Sequence, residues 1–154
     1  MLELKKNMDI LAEIGAVKDL NGANKVFEKT IDSQNRSKLQ NIKNYEALIK
    51  IANSIAMCEP EKVFINTGSE EDKQTVRKMS LEKGEEEELV LKDHTIHFDL
   101  AQEQARIIDR TFYIVNEGEE TSVLAKKTLR DDACNYINEH MRGIMRGKTM
   151  LIGF

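Results

Sequence analysis

Tryptophan is absent from this 154-residue chain, aromatic residues make up 5% of it, and it holds two cysteines and one proline. Cys58 and Cys134 are too few for a disulfide framework and read as reduced thiols in a core. A lone proline, Pro60, and eight glycines permit long helices and leave few places for a linker. No apolar run approaches the ~20 residues needed to cross a bilayer, which excludes a membrane span. The start, Met1-Leu2-Glu3-Leu4-Lys5-Lys6, lacks the apolar region and small-residue cleavage site of a secretory signal. A net charge of −4 without a basic stripe argues against a dedicated nucleic-acid binder. What is present, 40% apolar and 32% charged residues, suits one cytoplasmic domain that buries roughly two-thirds of its unfolded surface.

The patterning is uneven. Met8, Leu11, Ile14 and Val17 recur at three-residue spacing, a short amphipathic helix. Residues 21–40 are polar and broken by Asn21-Gly22 and Ser33-Gln34-Asn35, so 1–40 reads as a helical or loosely ordered amino-terminal arm. Residues 41–154 read as an α/β body. In it Ile42, Tyr45, Leu48, Ile49, Ala52, Ile55 and Ala56 form one helical stripe that ends at Cys58-Glu59-Pro60, because the residue before proline avoids the α region. Val63-Phe64-Ile65 is a short buried strand. Asn66-Thr67-Gly68 turns, and Ser69 with Asp72 three residues later caps a helix with acidic residues first and basic residues last. Leu89–Leu91 and Thr95–Leu100 read as strands joined by Lys92-Asp93-His94, followed by a helix over 101–108 and a strand over Thr111–Val115. Thr128 with Asp131 opens a last helix whose stripe is Leu129, Ala133, Ile137, Met141 and Ile144, and Thr149–Ile152 is a final strand. Strands alternating with helices give an α/β (α+β) fold, a mixed sheet flanked by helices. The chain stops at Phe154 beside an apolar strand, which reads as a piece of something longer.

Candidate chemistry is sparse. Gly143-Ile144-Met145-Arg146-Gly147-Lys148-Thr149 has three residues between its glycines where a phosphate loop needs four, and it lies between a helix and a strand in the reverse order. It reads as a turn with basic residues. His94, His97, Asp99, Cys58, Cys134 and His140 are the conceivable metal ligands, but no spacing gathers four of them, so no metal or catalytic set is assigned. The run Glu85–Glu88 reads as a solvated loop. Arg106 sits where a short helix meets the Thr111 strand. A guanidinium there serves either as a surface ion-pair residue or as a two-pronged grip on a carboxylate or phosphate.

Several stretches, taken in order, resemble the amino-terminal lobe of GTP-dependent phosphoenolpyruvate carboxykinase: Cys58-Glu59-Pro60, Val63-Phe64-Ile65, Gly68-Ser69-Glu70-Glu71, Ala105-Arg106-Ile107 with Thr111, and Met145-Arg146-Gly147-Lys148-Thr149-Met150. Residues 1–40 add nothing to the match. The resemblance implies an enzyme that turns oxaloacetate and GTP into phosphoenolpyruvate, GDP and CO2 with Mn²⁺ or Mg²⁺, by positioning and charge stabilisation. It implies that Arg106 holds a substrate carboxylate and that the nucleotide loop and metal ligands belong to a remaining carboxyl-terminal part, so this segment alone binds neither GTP nor metal. Three departures stand out. Thr67 replaces the Asp that many members carry before Gly-Ser, Ile108 stands where a lid-contacting Glu is common, and the chain ends before the Gly-Pro that commonly follows the last strand. The rival reading is a non-enzymatic binding or regulatory domain complete at this length. A small hydrolase has no nucleophile–base pair to support it.

Overall fold

Ala23, Phe27 and Ile31 recur every fourth residue, one per turn, and that narrow apolar line is what the first helix buries, at 0%, 3% and 5% exposure. The computed structural model describes residues 15–99, 107 and 111–154. In chain order the elements are α1 (Leu20–Thr30), α2 (Ser33–Lys38), α3 (Tyr45–Cys58), β1 (Lys62–Asn66), α4 (Glu70–Lys83), β2 (Glu87–Glu88), β3 (Thr95–Ile96), β4 (Tyr113–Val115), β5 (Lys127–Leu129), α5 (Arg130–Met141) and β6 (Thr149–Gly153). They divide into two units, one holding the residues up to Ile65 with Leu129–Phe154 and the other Asn66–Thr128. The mixed α/β class holds, with the strands arranged as three two-stranded sheets among the described residues.

In the first unit α1 packs along α3. The shared core joins Val17, Ala23, Phe27, Ile31 and Leu39 to Ala52, Ile55, Val63 and Ile65. Residues 15–39 are therefore part of the core, a correction to the loosely docked arm. The supposed breaker Asn21-Gly22 lies inside the first turn of α1, where the Asp19 carboxylate accepts from Gly22 N at 2.7 Å. Ser33-Gln34-Asn35 likewise opens α2, capped by Asp32. Val17 precedes α1 in non-helical backbone, so the helix read over 8–17 does not reach it; residues 1–14 lie outside the described residues.

Asn53 is the polar member of this core, 1% exposed in the middle of α3. Its carbonyl oxygen accepts from Val17 N at 2.9 Å and its Nδ2 donates to Val17 O at 3.0 Å. One amide thus imitates a strand partner and leaves none of these four groups orphaned. Asn53 lies beside Ala52 and Ile55 on the buried side of α3, whereas Tyr45 and Ala56 of the expected stripe are exposed.

β1 and β6 form a pair. Lys148 O, just before β6, accepts from Glu61 N and Lys62 N at the start of β1, so the strands set out from the same end and run in parallel. α5 follows β5 directly. Its first residue is preceded by Leu129 with no side-chain cap, which corrects the Thr128–Asp131 cap: Thr128 is in the extended backbone of β5. α5 buries Ala133 and Cys134, while Leu129 and Ile144 of the expected stripe are exposed.

In the second unit Ser69 caps α4 as expected, its hydroxyl accepting from Asp72 N at 3.1 Å. The helix stops at Gly84, whose φ of +70° suits a residue without Cβ, and Glu85 N closes back on Ser80 O. The hairpin exists, shifted from its expected place. β2 is Glu87–Glu88, two residues before Leu89–Leu91, and pairs antiparallel with β3 in the register Glu87↔Ile96, Glu88↔Thr95. So part of the Glu85–Glu88 run is strand and not solvated loop. The turn has no glycine; Asp93 itself takes the left-handed conformation at φ +62°. The strand expected over Thr111–Val115 is shortened to β4, which joins β5 through Tyr113 N to Lys126 O at 2.8 Å. Of the helix read over 101–108 only Ile107 is described, and the rest lies outside the described residues.

Candidate functional site

Cys58-Glu59-Pro60, Val63-Phe64-Ile65 and the 143–150 turn, separate in sequence, meet in the first unit. α3 ends with unpaired carbonyls, as any helix does, and the turn supplies their donors: Gly143 N to Met57 O at 2.8 Å and Met145 N to Cys58 O at 2.9 Å. Arg146 then folds back so that Nε (2.8 Å) and Nη2 (2.7 Å) both meet Oε2 of Glu59. Gly143 makes room for this, since a Cβ there would lie 2.9 Å from the guanidinium.

This arrangement settles what the basic turn does. The amides of Gly143, Ile144, Met145, Arg146 and Lys148 are all spent, on α3 or on the turn itself. Backbone N–H groups so occupied cannot cradle a phosphate.

In the second unit the turn between Asn66 and Ser69 is held from within. Asp72 is 4% exposed, and its Oδ2 accepts from Thr67 N (2.9 Å) and Thr67 Oγ1 (2.7 Å). Thr67 thus gives the buried carboxylate a hydroxyl donor at the position where the resemblance leads one to expect Asp. Beside α4 and the hairpin lies an open cleft of about 900 Å³ that mixes Lys73, Arg77 and Lys92 with Glu70, Glu86 and Glu88. Oε2 of Glu86 is buried with no hydrogen-bond partner among the described residues. Neither sign of charge dominates this wall.

The histidines and cysteines do not converge. His97 Nδ1 meets Glu85 O at 2.6 Å and its Nε2 meets Asp99 Oδ1 at 2.9 Å. Both partners only accept, so the ring satisfies both as an imidazolium, and the Glu85 carbonyl first and Asp99 second raise its pKa above the ordinary 6.5. His94 bonds Lys92 O within its own turn, and His140 stacks on Tyr136 at 4.0 Å between centroids. Cys58 and Cys134 are buried and in no disulfide, and burial pushes the Cys58 pKa up. Among the described residues no group of three or more His, Cys, Asp or Glu side chains is placed to hold a metal ion. No helix among them is long and apolar enough to cross a membrane. Arg106, the one substrate ligand expected, lies outside the described residues. The Arg146–Glu59 contact went unforeseen, because its partners are 87 residues apart and no local spacing signals it.

The family model for the phosphoenolpyruvate carboxykinase N-terminal domain matches residues 50–154. The phosphoenolpyruvate carboxykinase (GTP) of Pyrococcus furiosus is 38% identical over 136 residues, 88% of this chain and 22% of that protein. That of Saccharolobus solfataricus is 40% identical over 118 residues (76% and 19%), and that of Thermococcus kodakarensis 36% over 128 (83% and 20%). A match of 136 residues cannot fit in the 114 that follow Gln40, so the similarity reaches into residues 1–40, contrary to the expectation that they add nothing. The chain spans about a fifth of the length of these curated relatives. It belongs to the phosphoenolpyruvate carboxykinase N-terminal domain family.

Proposed function

We propose that this chain is the amino-terminal, substrate-binding portion of a cytoplasmic GTP-dependent phosphoenolpyruvate carboxykinase, an enzyme of gluconeogenesis that converts oxaloacetate and GTP to phosphoenolpyruvate, GDP and CO2. The observation that carries the reading is the family match over 50–154, joined to relatives named for the GTP enzyme that are roughly four times as long as this chain. In this reading 41–154 is the α/β part of the lobe, the helices before it complete its core, and the segment alone does not turn over.

Arg106 supplies the substrate contact. A planar guanidinium matches a carboxylate with two parallel hydrogen bonds, which orients an anionic acid as well as attracting it. The described residues offer little to a resident Mn²⁺ or Mg²⁺ or to a nucleotide: no carboxylate or histidine set converges among them, and the amides of Gly143, Ile144, Met145, Arg146 and Lys148 are occupied. Those functions fall to the remaining carboxyl-terminal part of the enzyme.

Two measurements test this. The segment is assayed for carboxylation of phosphoenolpyruvate with GDP and Mn²⁺, and robust turnover overturns the claim that it is incomplete. In the complete enzyme Arg106→Lys should raise KM for oxaloacetate roughly tenfold or more, because an ammonium cannot reproduce the fork. Unchanged kinetics remove Arg106 from the site.

A further inference from the structure

The β1–β6 pair has two edges, and the chain treats them differently. On β1 the backbone groups of Val63 and Ile65 face outward, and both of those of Ile65 are taken by side chains. Its N–H donates to Asn35 Oδ1 at 2.8 Å, and its carbonyl accepts from Lys38 Nζ at 3.0 Å. Lys38 also lies over the Phe64 ring, 4.6 Å from its centroid. Two side chains of α2 therefore cover that edge at Ile65.

The edge of β6 is bare. Lys148 O faces β1, and the two-residue period of a strand turns the N–H and C=O of Met150 and Ile152 the same way. Those of Thr149, Leu151 and Gly153 point outward, and among the described residues nothing bonds them. Leu151 and Phe154 alongside are 48% and 51% exposed. Parallel sheets occur buried and in larger sets, and an isolated two-stranded pair is marginal in water. A free apolar edge is a template for another strand.

We propose that the outward edge of β6 is the seat of a further β-strand, supplied by carboxykinase polypeptide that lies outside this chain. The inference rests on the proposed function for its occupant: relatives roughly four times as long hold the polypeptide, and both strands of the pair lie within the matched region. The added strand bonds Thr149, Leu151 and Gly153 through its backbone and covers Leu151 with an apolar residue.

Residue-resolved amide hydrogen exchange tests it, on the chain alone and on the chain joined to the polypeptide that follows the matched stretch in the Pyrococcus furiosus relative. Met150 and Ile152, facing β1, are the internal reference. In the monomeric chain alone Leu151 and Gly153 should exchange within about tenfold of an unstructured peptide, and in the joined polypeptide at least ~100-fold more slowly. Slow exchange in the chain alone overturns the proposal: if sedimentation gives a dimer, a second copy is the occupant, and if a monomer, the edge is covered from within. Fast exchange in the joined polypeptide overturns it whatever the activity. Protection without carboxykinase activity upholds the edge assignment and counts against the functional reading.

Discussion

Arg146 and Glu59, 87 residues apart, are joined by two N–H groups converging on a single carboxylate oxygen, at 2.7 and 2.8 Å. Their side chains are 69% and 44% exposed, so the pair fastens a turn to a helix end without contributing much to stability. Glu59 also holds φ at +51°, left-handed backbone that an L-residue adopts at a cost of about 1–2 kcal/mol.

These two facts predict an unusual ordering. Glu59→Ala should destabilise by less than about 1 kcal/mol, the worth of an exposed pair. Glu59→Gly loses the same pair but relieves the backbone, so it should be more stable than Glu59→Ala by about 1 kcal/mol. Urea midpoints decide it, and equal midpoints for the two variants would show that the backbone carries no strain.

Asn53→Ala should cost about 2–4 kcal/mol, because both backbone groups of Val17 lose their partner in a buried place. For a chain of this size that is a drop in Tm of roughly 5–12 °C. Asn53→Asp keeps the acceptor and loses the donor, so it should fall no less far. A loss under ~1 kcal/mol for Asn53→Ala would mean that Val17 is held by something else.

Asn35→Ala should cost about 1–2 kcal/mol and speed exchange at the Ile65 amide, which the Asn35 carbonyl now occupies. Asp32 orients that amide, accepting from Asn35 N at 2.9 Å and Asn35 Nδ2 at 2.8 Å. These bonds, the backbone one foremost, lower the Asp32 pKa from 3.8. Its contribution is therefore present above pH 3.8 and lost as pH falls through the lowered value. Asp32→Asn should flatten that part of the acid-unfolding curve, and an unaltered curve would remove Asp32 from it.

The raised His97 pKa has the opposite sign. Whatever the protonated ring contributes to the hairpin is complete below pH 6.5 and lost as pH rises through the folded value above it. A proton-resonance titration should place the His97 midpoint above 6.5, and Asp99→Asn should lower it part of the way, leaving the Glu85 carbonyl as the larger cause. A midpoint at or below 6.5 contradicts the double hydrogen bond.

Legibility followed the density of local signal. α3, β1, the Ser69 cap and β6 were readable because each concentrates its apolar residues or its capping side chain within a few positions. α1 was not, since its buried positions Ala23 and Phe27, with Ile31 at its cap, are scattered among mostly polar ones, and its Gly22 looked like a break until Asp19 capped it. The Asp93 turn was obscured because a left-handed Asp does the work expected of Gly. Thr128 misled because a strand reaches Leu129, leaving no room for a cap. Contacts such as Arg146–Glu59 and Asn35–Ile65 join distant positions, and no periodicity encodes them. Arg106 was legible only through the family pattern, which carries chemical meaning that spacing alone does not.

The carboxamide of Asn53 has a practical corollary for anyone trimming this protein. A version started at residue 41 would keep every position matched by the family model, yet that side chain would lose both its partners and the core lined by Phe27 and Ile31 would open to water. The leading helices are an inner wall of the lobe.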